Sequence, residues 1–163
     1  MKSLIFLILI FCTLSISAQS DLKKRSSVFF ELAGSGGFGS INYERTFFKK
    51  PTTELNWRVG LSWTPIDSNN GSAIILPIMI HSNFGKKNHK LELGIGQGIT
   101  FTTKGSYFIL GTASLGYRYQ RDEKPWFFRA TYTPLISYLF DRQWQHWAGV
   151  SIGYTLNLSL IHI

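Results

Sequence analysis

The hydrophobic residues of this chain recur at every second position over long stretches. Residues 90–101 read KLELGIGQGITF, with Leu91, Leu93, Ile95, Ile99 and Phe101 on one side and Lys90, Glu92, Gly94, Gly96, Gly98 and Thr100 on the other. Gln97 is the one interruption of the apolar side. Successive side chains of a strand point to opposite faces, so this is a ribbon with one apolar and one small-or-charged side. The spacing predicts about eight such strands, at residues 27–34, 38–47, 53–63, 73–84, 90–101, 107–119, 126–134 and 146–158. The third is very regular: Leu55, Trp57, Val59, Leu61 and Trp63 alternate with Glu54, Asn56, Arg58, Gly60 and Ser62. The fourth is the least regular, because Pro77 removes a ladder donor; a bulge is expected there.

The links alternate in length. Residues 48–52, 85–88 and 120–125 are short, and residues 64–72 and 135–145 read as longer loops. Residues 34–37 and 103–106 are small links on the long-loop side. Strands of ~9–11 residues with this dyad pattern are long enough to cross a bilayer when tilted. Alternation alone also fits a lipocalin-like barrel with its apolar face inward. The glycines decide between the two. Gly60, Gly94, Gly96, Gly98, Gly116, Gly149 and Gly153 all share the charged face, where a narrow barrel interior needs small residues beside long ones. That face also holds Glu31, Glu44, Glu54 and Glu92 against Arg58, Lys90, Arg118 and Arg129, a set that can pair off inside a lumen. Trp63, Phe101, Tyr107, Trp126 and Tyr132 end the apolar face as aromatic girdles. The fold expected is all-β, an antiparallel up-and-down transmembrane β-barrel of about eight strands.

Composition adds an export signal. Lys2, the apolar run 4–14 and the small residues 15–18 form a signal peptide expected to be cleaved after Ala18. The domain plan is residues 1–18 as signal peptide, 19–26 as an N-terminal tail, 27–158 as barrel and 159–163 as a C-terminal tail. Cys12 lies within the removed segment behind Phe11, where a lipid-modified cysteine needs a small residue, so lipidation is not expected. Of 17 Lys and Arg residues Lys2 is removed, leaving 16 against 9 acidic, a net of +7. The basic residues cluster at turns rather than along a stripe, and export argues against a nucleic-acid partner.

Three segments, 31–45 (ELAGSGGFGSINYER), 84–96 (FGKKNHKLELGIG) and 147–154 (WAGVSIGY), carry a resemblance. The chain resembles the small outer-membrane β-barrel proteins of Gram-negative bacteria, particularly those of the Bacteroidota type. The resemblance implies an outer-membrane location, outer-membrane lipid and the barrel assembly machinery as partners, and no catalytic motif. Such barrels usually end on an aromatic residue, whereas here the last strand runs on through Asn157 to Ile163.

Candidate chemistry is sparse. The inward charges form either an ion path or, as the plainer reading, a salt-bridged plug of the lumen. His81 lies on the inward face and Ser82 beside it on the outward one, with no G-x-S-x-G frame around any serine. His89, His146 and His162 have no metal-ligand spacing, and neither metal nor cofactor is expected. The aromatic segment holding Phe140, Arg142, Trp144 and Trp147 is the best candidate for contact with a surface ligand. The reading is therefore a structural or surface-interaction barrel without catalysis. A lipid-modifying outer-membrane enzyme and a periplasmic barrel holding a small apolar ligand are the alternatives.

Overall fold

The structure, a computed structural model, describes residues 25–67, 71–121, 123–137 and 144–156. The expected signal peptide at 1–18 and the tail at 159–163 lie outside these residues, as do Phe140 and Arg142. Ser26, placed in the N-terminal tail by the sequence pattern, already belongs to the first strand.

Among the described residues there are ten strands: β1 (Ser26–Ala33), β2 (Gly39–Lys50), β3 (Thr53–Asp67), β4 (Gly71–Lys86), β5 (His89–Thr102), β6 (Tyr107–Gln120), β7 (Trp126–Tyr132), β8 (Leu135–Ile136), β9 (Trp144–Gln145) and β10 (Ala148–Leu156). They pair antiparallel in the order β5-β4-β3-β2-β1-β10-β7-β6, and β6 pairs back onto β5 to close the sheet. Closure leaves no edge strand exposed along the wall. The short strands β8 and β9 prolong β7 and β10 in unbroken register, so the barrel has eight walls of strand. Thr133 N–H donates to Trp147 O at 2.8 Å across the gap, and Pro134, which has no N–H, contributes its carbonyl to Ala113 N–H at 3.4 Å. The expected loop at 135–145 is thus corrected: strand occupies both of its flanks, at Leu135–Ile136 and Trp144–Gln145.

Two other expectations are corrected. The segment 64–72 is mostly strand, because β3 continues to Asp67 and β4 begins at Gly71, with a register shift between Pro65 and Asp67. Its polar composition suggested a loop, but Thr64 and Pro65 pair with Ala73 and Ser72. Pro77 causes no bulge. Its pairing with β5 runs unbroken through Gly98, while on the β3 side pairing lapses opposite Gly60 and Leu61 and resumes at Ser62–Ile75 in the same register. The proline ring faces inward over Gly60, where an added Cβ would stand 2.9 Å from Pro77 Cγ. Glycine on the neighbouring strand, rather than an extra residue, makes room for the ring.

The wall is inside out relative to an ordinary core. Among the described residues few apolar side chains are buried, chiefly Phe29, Ala73, Met79 and Phe127 with Pro77 and Pro134, against a long series of buried polar and charged ones. Leu91, Leu93, Ile95 and Phe101 are exposed, Ile95 at 73%. Lys90, Glu92 and Thr100 are buried on the opposite face, and Gln97 stands exposed on the apolar one. The turn end of the barrel carries residues 51–52, 87–88, 121 and 123–125 together with Ser26 and Leu156. The loop end carries residues 34–38, 103–106 and Ser137.

Gly96 tests the narrow interior. A Cβ there would collide with the Ile78 carbonyl and with Met79, which lies on the neighbouring strand. Gly96→Val is expected to cost about 1–3 kcal/mol by overpacking, read as an earlier urea midpoint, while Ile95→Val on the open face stays within about 1.5 kcal/mol.

Candidate functional site

The inward positions of the strands bring all eight predicted charges into ion pairs, in three groups along the lumen. Nearest the turn end, Glu54 on β3 takes Lys90 Nζ from β5 at 2.7 Å and Lys49 Nζ from β2 at 3.2 Å. Further in, Glu44 on β2 takes Arg118 Nη1 from β6 at 2.6 Å and stands 3.0 Å from His81 Nε2 on β4. Arg118 also donates to Gln120 Oε1 at 3.1 Å and lies over the Phe127 ring, 3.8 Å from its centroid.

The third group is the most connected. Arg129 on β7 reaches Glu31 on β1 at 2.8 Å and Glu92 on β5 at 3.2 Å, so one guanidinium spans three strands. Arg58 on β3 approaches the same Glu31 oxygen at 3.4 Å. Phe29 packs under both guanidinium groups, at 4.4 Å from Arg129 and 5.8 Å from Arg58. Glu31 and both arginines are essentially inaccessible to solvent. In such surroundings an unpaired charge is strongly unfavourable, and geometry that satisfies each ion from several sides is what makes the burial tolerable.

Ser35 completes this group, and sequence reading missed it. Arg58 Nη2 donates to Ser35 Oγ at 2.5 Å, and Ser35 Oγ donates to Glu31 Oε2 at 3.3 Å. Ser35 belongs to a 3-10 turn, Gly34–Gly36, whose three residues are all buried. The small link expected on the long-loop side is folded into the lumen. Gly34 and Gly37, at φ 81° and 77°, take the left-handed conformations that let the hairpin bend inward, and Ser62 Oγ pins the turn by donating to Gly36 O at 2.5 Å.

Above that turn the lumen changes character. A cavity of about 880 Å³ opens at the loop end, walled by Phe38, Ile75, Phe108, Leu110, Leu135 and Trp147. Phe108 and Leu110 share the inward face with Thr112 and Ser114. The alternation carried past Thr112 toward the loop would have found them. Of the predicted contact residues, Trp147 lies on the cavity wall, edge-on to Phe38 at 6.0 Å, whereas Trp144 is exposed beside His146. The structure does not bring these two tryptophans together. His89 hydrogen-bonds to Tyr117 and His146 to Tyr132, both on the exterior. Among the described residues no group of three His, Cys, Asp or Glu side chains could hold a metal ion.

A closed antiparallel eight-stranded barrel with an apolar exterior and a charged interior defines the class: this is the outer-membrane β-barrel fold. No protein-family model matches the chain, and no curated protein matches it. Among solved structures the chain is similar to the Yersinia pestis outer membrane protein Ail in a phospholipid bilayer nanodisc. The two share 11% identity at a TM-score of 0.53, over 82% of this chain and 99% of the other. It is likewise similar to Ail, the attachment invasion locus protein of Yersinia pestis, in complex with the heparin analogue sucrose octasulfate. That likeness has 11% identity, a TM-score of 0.50 and coverage of 83% and 100%. The likeness is one of fold.

Among the described residues, Glu31→Leu leaves Arg129 paired with Glu92 alone and removes the one ion-pair partner of Arg58. The expected loss is about 3–5 kcal/mol, measured as the urea midpoint of the folded barrel. Glu54→Gln, nearer the turn end, is expected to cost clearly less.

Proposed function

We propose that this chain is an outer-membrane protein that acts by contact at its outer end, with a lumen closed by ion pairs and no catalytic role. One observation carries the reading: the large apolar side chains face outward while the charged ones are buried and paired. Water outside such a wall would meet a continuous apolar belt far larger than surfaces of dissolved proteins carry, whereas lipid matches it. Outer-membrane barrels keep short turns on the periplasmic side, so the loop end faces outward. Outer-membrane lipid and the barrel assembly machinery are then the partners of the wall, and a surface ligand is the partner of the loop end.

The exposed lysines Lys50, Lys86, Lys87 and Lys124 stand at the turn end, where they suit anionic headgroups and solvent on the periplasmic side. A lipid-modifying reaction would need its nucleophile and base together near the outer rim. His81 instead sits against Glu44, below the Gly34–Gly36 turn, and Ser82 points to the other face. A periplasmic barrel with an apolar ligand is disfavoured by the exposed belt.

Reconstituted in a planar bilayer, the chain is expected to pass no steady ion current, and to gain one when Glu31, Arg58 and Arg129 are together replaced by Ala. Unheated samples in dodecyl sulfate are expected to migrate faster than boiled ones. Steady current through the unaltered chain would contradict the closed lumen. An outer-membrane lipid composition that changes with His81→Ala would contradict the absence of catalysis.

A further inference from the structure

The turn end of the barrel holds a smaller pocket, of about 90 Å³. Four lysines line it, Lys49, Lys50, Lys87 and Lys90, against a single carboxylate, Glu54. Both Glu54 oxygens are already engaged, Oε1 by Lys49 and Oε2 by Lys90. Lys50 rests over the Phe48 ring, 5.4 Å from its centroid. Lys87 is exposed and, among the described residues, has no carboxylate within ion-pair distance. The lining therefore carries a surplus of positive charge. A basic turn alone would be no site, but a buried amide faces the same space. Asn83 lines the pocket from the inward side of β4, is 1% exposed, and has no hydrogen-bond partner at Oδ1 or Nδ2 among the described residues. A buried amide left unsatisfied is costly, so the pocket calls for an occupant that accepts from Nδ2.

We propose that this pocket binds a phosphate group, held by Lys50 and Lys87 at the mouth and by Asn83 Nδ2 from within. The donor set selects the anion. Lysine ammonium groups are compact point charges that suit the oxygens of a tetrahedral phosphate, whereas arginine's planar fork is the better match for a carboxylate, and no arginine is among the described lining residues. Size agrees. A water needs about 10–15 Å³ of such space, so the pocket has room for several, which suits one phosphate group rather than a nucleotide. Lys87 holds its place at φ 58°, in the left-handed region where glycine is the unstrained residue. Two sources share this chemistry, a phospholipid headgroup and dissolved phosphate. Phe84, next to Asn83 along β4, belongs to the exposed apolar wall, so the pocket borders the membrane. The site lies at the end opposite the proposed contact surface and does not rest on it.

The folded chain in lauryldimethylamine oxide micelles, which contain no phosphate, is titrated with sodium phosphate and, separately, with sodium chloride at equal ionic strength. Binding is read from the backbone amide shifts of Thr52, Thr53 and Gly85. A saturable shift with phosphate and none with chloride is the expected result. Lys87→Gly and Asn83→Leu should each weaken binding about tenfold, and Arg121→Gln, at another turn outside the pocket, should leave it unchanged. Lys87→Gly relieves the positive φ, so a loss of binding in a barrel of undiminished urea midpoint reports the lysine itself, even should Asn83→Leu not fold. In a second arm, phosphatidylglycerol is added to the micelles in phosphate-free buffer. The same shifts there assign the headgroup as a source, and shifts with inorganic phosphate alone assign the dissolved ion. No saturable shift in either arm, or an equal loss with Arg121→Gln, would overturn the site while leaving the membrane reading intact.

Discussion

Arg129 lies between Glu31 and Glu92, and the rest of the interior follows from the constraint it illustrates. A strand that turns its apolar side outward must turn its polar side into the lumen. An eight-stranded lumen is too narrow to hydrate long ions freely, so each charge has to find its counter-charge on another strand. Glu31 and Arg129 are distant in sequence, as are Glu44 and Arg118. These pairs can form only when the barrel is closed in one register, since a slip of one residue would move the charges to the apolar face. The ion pairs therefore specify closure and register. Their net stabilising energy is secondary, since desolvation offsets much of the attraction.

Space is the second constraint. Two arginines packed over Phe29, and a third over Phe127, fill the lumen only because neighbouring positions are glycine. An added Cβ at Gly153 would enter the Phe127 ring, and one at Gly34 would meet the Glu31 carboxylate. The same economy lets the Gly34–Gly36 turn fold inward and bring Ser35 to Arg58. That turn divides the barrel into a filled, charged lower lumen and an open, apolar cup, so one narrow cylinder holds two environments.

Much of this was legible in the sequence because a strand's two-residue period maps directly onto inside and outside. The alternation in residues 90–101 placed Glu92 in the lumen and Ile95 on the exterior, and the glycine column beside the charges indicated which face was inner. What alternation could not show was position along the barrel axis. It could not tell that Arg129 would meet both Glu31 and Glu92 while Lys90 met Glu54, since that depends on strand stagger. Loop composition also misled. Gly34, Ser35 and Gly36 look the same whether a turn points out or in, and Pro134 looks like a strand end although pairing resumes at Leu135. Pro77 was read as a distortion of its own strand, whereas the accommodation lies in Gly60 across the ladder.

On residues 90–101 the even-numbered face is lumen and the odd-numbered face is lipid, the arrangement on which the rest depends. It is tested most directly by scanning single nitroxide labels through residues 90–101 in a lipid bilayer, after replacing Cys12 if it is present. Collisions with oxygen and with a water-soluble nickel complex are then compared at each site. Labels at Leu91, Leu93, Ile95, Ile99 and Phe101 are predicted to collide with oxygen and to be shielded from nickel. Labels at Glu92, Gly94, Gly96 and Gly98 should be immobile and shielded from both, or should prevent folding. Strong nickel collisions at Leu93 and Ile95 in the folded protein would contradict it.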